Sequence, residues 1–380
     1  MRSKRKYPSR VRNDSLRVAE PLDEFPPALP WEALVPAIGR ANAALARYDG
    51  MLQGLPRPDI LLAPLATREA VLSSRIEGTE ATLSEVMEEE VDPGAAPADR
   101  QSEIREVLNY RSAVEVAATE LAKRPLSLNL IRRTHRVLMT DVRGAGRAPG
   151  EFRRVQNYIG APGAAIEQAT YVPPPPNEVP SLLDQLEKYL HVDERDPIVQ
   201  IGLIHARFEI IHPFIDGNGR VGRILIPLFL YTRGILARPA FYLSAWLEAH
   251  REEYYERLRA VTAEKDHAGW VRFFLRAVTE QAEQDAGRVR HMIALYEQTK
   301  GMVVAEIRSR YALAALDALF RQPIFSTPRF VEESGIPQAS AARLLDRLRE
   351  SRVLRVVRRG RGRRPTVWQF RELMEIVDRE

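Results

Sequence analysis

"HPFIDGNGRVGR", residues 212–223, decides how this chain is read. It lies inside "EIIHPFIDGNGRVGRILIPLF" (209–229), an apolar, helix-like stretch interrupted by a histidine, an acid, two glycines around an asparagine, and two arginines. A core helix has no use for Gly217 and Gly219, because each glycine costs ~1 kcal/mol against alanine in a helix interior. Set on both sides of Asn218, just ahead of a helix expected from near Arg220, they free the backbone to aim its N–H groups at one point. The first amides of a helix are unpaired and lie at the positive end of its dipole, so Gly217, Asn218 and Gly219 read as a phosphate cradle.

The neighbouring residues complete that chemistry. Asp216 is a hard oxygen ligand suited to Mg²⁺, which in phosphate sites takes one or two carboxylates and fills the rest of its shell with phosphate oxygens and water. Arg220 and Arg223 fall near one helix face and can both meet phosphate oxygens. His212 is the side chain here whose ordinary pKa suits a general base near neutrality. The set points to nucleotide phosphate chemistry with a hydroxyl nucleophile.

Residues 212–223 also resemble the full signature of the Fic family, H-x-F-x-D/E-G-N-G-R-x-x-R, with His212, Phe214, Asp216, Gly217, Asn218, Gly219, Arg220 and Arg223 all in place. "PGEFRRVQNYIG" and "YVPPPP" resemble the family's flap and its exit, and "EVLNYRSAVEVA" resembles an early core helix, so the likeness runs from about Leu61 to Arg290. It implies an all-α Fic fold with a small β-hairpin flap, and transfer of AMP from ATP to a Ser, Thr or Tyr hydroxyl of a target protein. In that scheme His212 is the base, Asp216 holds Mg²⁺, the Gly217–Gly219 turn stabilises charge, and Arg223 meets the γ-phosphate.

"SSRIEG" (73–78) resembles the inhibitory motif S/T-x-x-x-E-G/N that some members carry ahead of the core. Ser73 and Glu77 stand four apart on one helix face, and Gly78 is expected to end that helix and leave Glu77 at its tip. The partner the resemblance implies is Arg223, whose loss to Glu77 would misplace ATP. In some enzymes of this layout the same glutamate assists water in removing AMP, so Glu77 reads as a brake or as a second catalytic residue.

Val155 to Gly160 suggest a flap edge, with Ile159 and Gly160 the candidates for holding a target segment as an added strand. "YLSAWLEAHREEYYERL" (242–258) resembles the border of the adenine pocket; Tyr254 and Tyr255 are candidates there, or belong to the core. His250 stands where relatives often have asparagine, which puts the choice of base in question. The other histidines show no metal spacing.

The 380-residue chain is long enough for two or three domains, and it divides into an N-terminal helical region (1–105) carrying the inhibitory helix, a catalytic core (106–290) and a C-terminal domain (291–380). Cysteine is absent, which excludes disulfides and thiolate chemistry and fits the cytoplasm. No apolar run approaches the ~20 residues of a membrane span. The net charge of +5 is a property of one end, since ten arginines from Arg343 to Arg364 face only Asp346 and Glu350. Around them the pattern is helix, turn, helix, strand, basic loop and strand, the order of a winged helix-turn-helix, offering DNA or protein as partner. Self-modification and a homodimer are further expectations that follow the family.

Overall fold

The computed structural model describes residues 22, 24–55, 57–142, 148–160, 165–307, 311–362 and 364–379. Helices dominate: α1 (Trp31–Gln53), α2 (Pro58–Ile76), α3 (Leu83–Val91), α4 (Ala98–Leu121), α5 (Leu128–Leu138), α6 (Val179–Leu190), α7 (Pro197–Ile211), α8 (Asn218–Thr232), α9 (Ser244–Ala249), α10 (Arg251–Ala263) and α11 (His267–Ile307). The chain then runs through α12 (Ala312–Arg321), β1 (Ile324–Ser326), α13 (Thr327–Ser334), α14 (Gln338–Glu350), β2 (Leu354–Arg358), β3 (Val367–Phe370) and α15 (Arg371–Asp378). None of the described helices is long and apolar enough to cross a membrane.

Two helices that are apolar on nearly every face, α7 and α8, form the centre, as a helix without a polar side must. Helix α7 starts where Asp196 accepts from the amides of Ile198 and Val199, both at 2.9 Å, with Pro197 in the first turn where no amide is missed. Gly202 lets α11 close on it: a Cβ there would stand 2.8 Å from Phe274, and Trp270 donates to the Gly202 carbonyl at 2.7 Å. Helix α1 lies along α11 on the far side.

Helix α2 ends in a Schellman motif. Gly78 takes φ +102°, Thr79 N–H donates to Ser74 O at 3.2 Å and Gly78 N–H to Arg75 O at 3.0 Å. The turn stops the helix at Glu77, and a capping box between Thr82 and Glu85 starts α3.

Beyond α11 the antiparallel sheet has the order β1-β3-β2, with Trp368 of β3 opposite both Phe325 and Val356. Helices α13 and α14 meet at Gly335, whose φ of +64° supplies the turn. This module leans on the N-terminal helices and on α11: Arg358 pairs with Asp92, Arg57 with Asp317, and Arg68 of α2 and Arg288 of α11 donate to the Arg379 carbonyl at 3.1 and 2.8 Å.

Three details depart from the sequence-based outline. Helix α8 starts at Asn218, two residues before Arg220, and α11 runs unbroken past position 290. The expected flap hairpin is reduced, among the described residues, to one bridge between Ile159 and Tyr171. Its polar side chains turn to the main chain instead, and Pro173 to Pro176 have no amides to extend a ladder. Its tip (161–164), the basic start (1–21) and Arg363 of the C-terminal loop lie outside the described residues.

Candidate active site

His212 caps α7 in the left-handed conformation (φ 49°, ψ 58°), with Pro213 barring further helix. Its Nδ1 faces the Glu209 carbonyl at 3.4 Å, a geometry that places the ring proton on Nδ1 and leaves Nε2 as the basic nitrogen. Burial pushes the imidazole down to about 4, against the opposing charges of Glu77 and Asp216, so at neutral pH the ring is uncharged and Nε2 carries no proton.

The following loop is stapled by Asn218, whose Oδ1 accepts from the Phe214 amide at 2.8 Å and whose Nδ2 donates to the Phe214 carbonyl at 2.9 Å. The asparagine side chain thus shapes the turn, and what it can offer an anion is its backbone amide. Gly217 takes φ +77°, and the amides of Asn218, Gly219 and Arg220 precede the first helical bond, from Val221 N–H to Gly217 O at 3.1 Å. The cradle expected at Gly217, Asn218 and Gly219 is therefore the N-terminus of α8.

A carboxylate stands against it. A Cβ on Gly219 would lie 2.2 Å from Glu77 Oε1 and 2.9 Å from Arg223 Nη1. Arg223, 3 % exposed, donates from Nε to Ser73 Oγ at 2.8 Å, and from Nη2 to Ser73 O at 2.9 Å and Glu77 Oε1 at 2.7 Å. Burial would raise the Glu77 carboxyl, but the Arg223 charge and bond outweigh it and hold it below the usual range. Ser73, Glu77 and Arg223, far apart in sequence, form one cluster.

Arg220 is equally buried but differently engaged: Nη1 donates to Glu106 at 3.1 Å, and Nη2 lies 3.7 Å from Asp216 Oδ1. Asp216 Oδ1 also accepts from the Gly217 amide at 2.7 Å. Among the described residues no group of three or more His, Asp or Glu could hold a metal alone. One carboxylate beside an anion cradle nevertheless suits Mg²⁺, which draws its other ligands from phosphates and water.

Tyr254 belongs to the core: 1 % exposed, its hydroxyl stands 2.9 Å from His205 Nε2, while His205 Nδ1 faces the Gly222 carbonyl at 3.1 Å. The neighbouring Tyr255 is 37 % exposed, and its hydroxyl is raised by burial and then by Glu77, which places it near the cluster. His250 stacks on Trp246 at 3.8 Å. Ile159 and Gly160 are exposed on the flap, and the Ile159 amide is already given to Tyr171 O at 2.8 Å.

Two supporting residues escaped sequence reasoning. His135 is fully buried and stacks on Phe214 at 3.7 Å; its Nδ1 accepts from Gly150 N–H at 2.8 Å, so Nε2 carries the proton to the Asp216 carbonyl at 2.9 Å. Burial lowers it to about 4, which keeps that neutral tautomer. Arg153 donates to the carbonyls of His212 (2.9 Å), Pro174 (2.5 Å), Ile211 and Val155 (both 3.3 Å), clamping the flap to the end of α7. Their bonds join segments whose pairing no local pattern reveals; the one hint in the sequence was Arg153 inside the flap-like "PGEFRRVQNYIG".

The residues that build this site fall within segments shared with known proteins. Family models described as "Fic/DOC family N-terminal" and "Fic/DOC family" match residues 35–119 and 125–230. The chain is 27 % identical over 297 residues to the protein adenylyltransferase Fic of Drosophila grimshawi, covering 73 % of this chain and 53 % of that one. It thus spans about half of that relative's length. A probable protein adenylyltransferase of Aquifex aeolicus is 41 % identical over 92 residues, 24 % of this chain and 26 % of its own. Among solved structures, a Fic family protein from Desulfovibrio desulfuricans superposes with a TM-score of 0.57 at 21 % identity, over 92 % of this chain and 98 % of its own. Fic-1 from C. elegans gives 0.53 at 21 % identity, over 68 % and 73 %.

Proposed function

The chain belongs to the Fic/DOC family, and on that premise we propose that it is a protein adenylyltransferase restrained by its own Glu77. The substrate hydroxyl oxygen attacks the α-phosphorus of ATP, its proton passes to His212 Nε2, and the bond to the leaving pyrophosphate breaks. The amides heading α8 stabilise the phosphate charge and Arg223 meets the γ-phosphate. Asp216 would hold Mg²⁺, which supplies charge neutralisation on the phosphates. The C-terminal module, read as a winged helix-turn-helix, recruits a partner.

The observation carrying this reading is the Glu77 carboxylate lodged between Arg223 and the head of α8, where a phosphate would otherwise sit. An anion site already filled by an internal anion binds ATP poorly until that anion leaves. A second reading, hydrolytic removal of AMP, draws support from Glu77 lying within electrostatic reach of His212, where a carboxylate can orient water.

Intact-mass analysis after incubation with ATP and Mg²⁺ tests both. Wild type should show little self-modification, Glu77→Gly an added AMP, and Glu77→Gly/His212→Ala none. A Glu77→Gly protein that binds ATP yet never acquires AMP refutes transfer. Loss of AMP from a modified target with wild type, but not with Glu77→Gly, would establish the second reading.

A further inference from the structure

Gly222 occupies an unspecified place in the Fic signature, yet in mid-helix it carries the usual glycine penalty, so something must require it. The requirement comes from Glu209 on α7. A Cβ at position 222 would stand 2.4 Å from Glu209 Oε1 and 3.3 Å from the His205 ring. The missing side chain lets a carboxyl group into the space beside α8, one residue before Arg223. There Oε1 is buried with no hydrogen-bond partner among the described residues. Buried polar atoms are rarely left so, and one that is asks for a reason.

The surroundings supply it. Arg223 is buried and spends Nε and Nη2 on Ser73 and Glu77. Its electrostatic neighbours, after burial itself, are Glu77, Tyr254 and Glu209. Once Glu77 withdraws, a buried guanidinium would be left without a counter-charge, which is far costlier than a paired one. Glu69 is also within electrostatic reach of Arg223, but its oxygens already accept from Tyr110, the Ser244 hydroxyl and the Ser244 amide. Glu209 is the carboxyl with an acceptor to spare.

Resting on the nucleotide-binding reading of this site, we propose that Glu209 is the positioning residue that takes over Arg223 when Glu77 leaves, holding the guanidinium toward the γ-phosphate. Two carboxyls thereby share one arginine in succession, Glu77 in the restrained state and Glu209 in the active one. The restrained state bears the corresponding mark: burial lifts Glu209 to about 8, Arg223 opposing and Glu77 adding, so it stays protonated while Glu77 holds the ion pair.

The test compares ATP with ADP, which has no γ-phosphate for Arg223 to meet. Binding is measured calorimetrically on the 380-residue Glu77→Gly and Glu77→Gly/Glu209→Gln proteins. The expected result is about a tenfold loss of ATP affinity in the double variant, ~1.4 kcal/mol, with ADP affinity changed less than about twofold. Glu77→Gly/Glu209→Asp, which keeps a carboxyl, should recover most of the ATP preference, and Glu77→Gly/Glu209→Ala should repeat the selective ATP loss if the glutamine variant fails to fold. Equal losses for both nucleotides, or no loss for either, overturn the proposal. Preserved discrimination without AMP transfer by Glu77→Gly would sink the transferase reading and leave this role of Glu209 standing.

Discussion

Nη2 of Arg223 stands 2.7 Å from Oε1 of Glu77 across 146 residues of chain, and the same carboxylate lies against Gly219 at the head of α8. One side chain therefore occupies both cationic features of the site, the guanidinium and the helix N-terminus. It reaches them because the Schellman turn at Gly78 ends α2 at Glu77.

Removing this contact should release the site. At ~4 Å and an effective dielectric near 20 a charge pair is worth about 4 kcal/mol, and the half-open position of Glu77 reduces that to roughly 1–2. Glu77→Gly is expected to bind ATP about tenfold more tightly than wild type by calorimetry. Ser73→Ala, which removes one neutral acceptor and keeps the carboxylate, should change affinity by less than about threefold. Equal affinities for wild type and Glu77→Gly would show that the contact restrains nothing.

Gly222→Ala forces a methyl group into the Glu209 carboxyl and the His205 ring. A loss of about 1–3 kcal/mol is expected, seen as a fall of several degrees in Tm. The double variant Gly222→Ala/Glu209→Ala should regain part of it, because the two positions share one space. Strictly additive losses in a double-mutant cycle would count against the contact.

Arg153→Lys keeps the charge but not the planar fork that serves four carbonyls. Destabilisation by about 2–4 kcal/mol is expected from the orphaned acceptors. In the Glu77→Gly background kcat should fall more than KM rises, since the clamp holds the His212 main chain. A change confined to KM would remove Arg153 from that task.

The acid–base behaviour of the fold is set partly by Glu69, which links α2 to α4 and to the start of α9 through Tyr110 and Ser244. Burial lifts its carboxyl to about 7, against the bonds from Ser244 and Tyr110. With a folded value above the unfolded one, its contribution is full below about pH 4.5 and is lost as pH rises through about 7. His135 and His205, lowered to about 4 by burial, act oppositely: their contribution is intact above about pH 6.5 and is lost as pH falls toward 4. Chemical denaturation of Glu69→Gln from pH 5 to 8 should show a flatter decline on the alkaline side, by a few kcal/mol at most. An unchanged pH profile would place the proton elsewhere.

Much was legible in one dimension because the determinants were local. The signature names its own geometry: paired glycines, an asparagine and a helix start can only make a turn with exposed amides, and the pattern from Ser73 to Gly78 contains its own helix stop. The helix expected from near Arg220 is likewise α8, which begins two residues earlier, at Asn218. What needed the tertiary structure was every relationship whose partners come from separate segments. That Asn218 staples the loop, that His135 and Arg153 hold it from two sides, that Tyr254 is core while Tyr255 faces outward, and that Glu209 fills the space left by Gly222 are facts of packing. Burial alone decides which of these polar groups must find a partner, and burial is settled only when the helices close on one another. The sequence by itself determined the glycine turn and helix start at the head of α8; the fold decided which carboxylates attend Arg223, because a charge in a low-dielectric interior is governed by whatever the packing brings beside it.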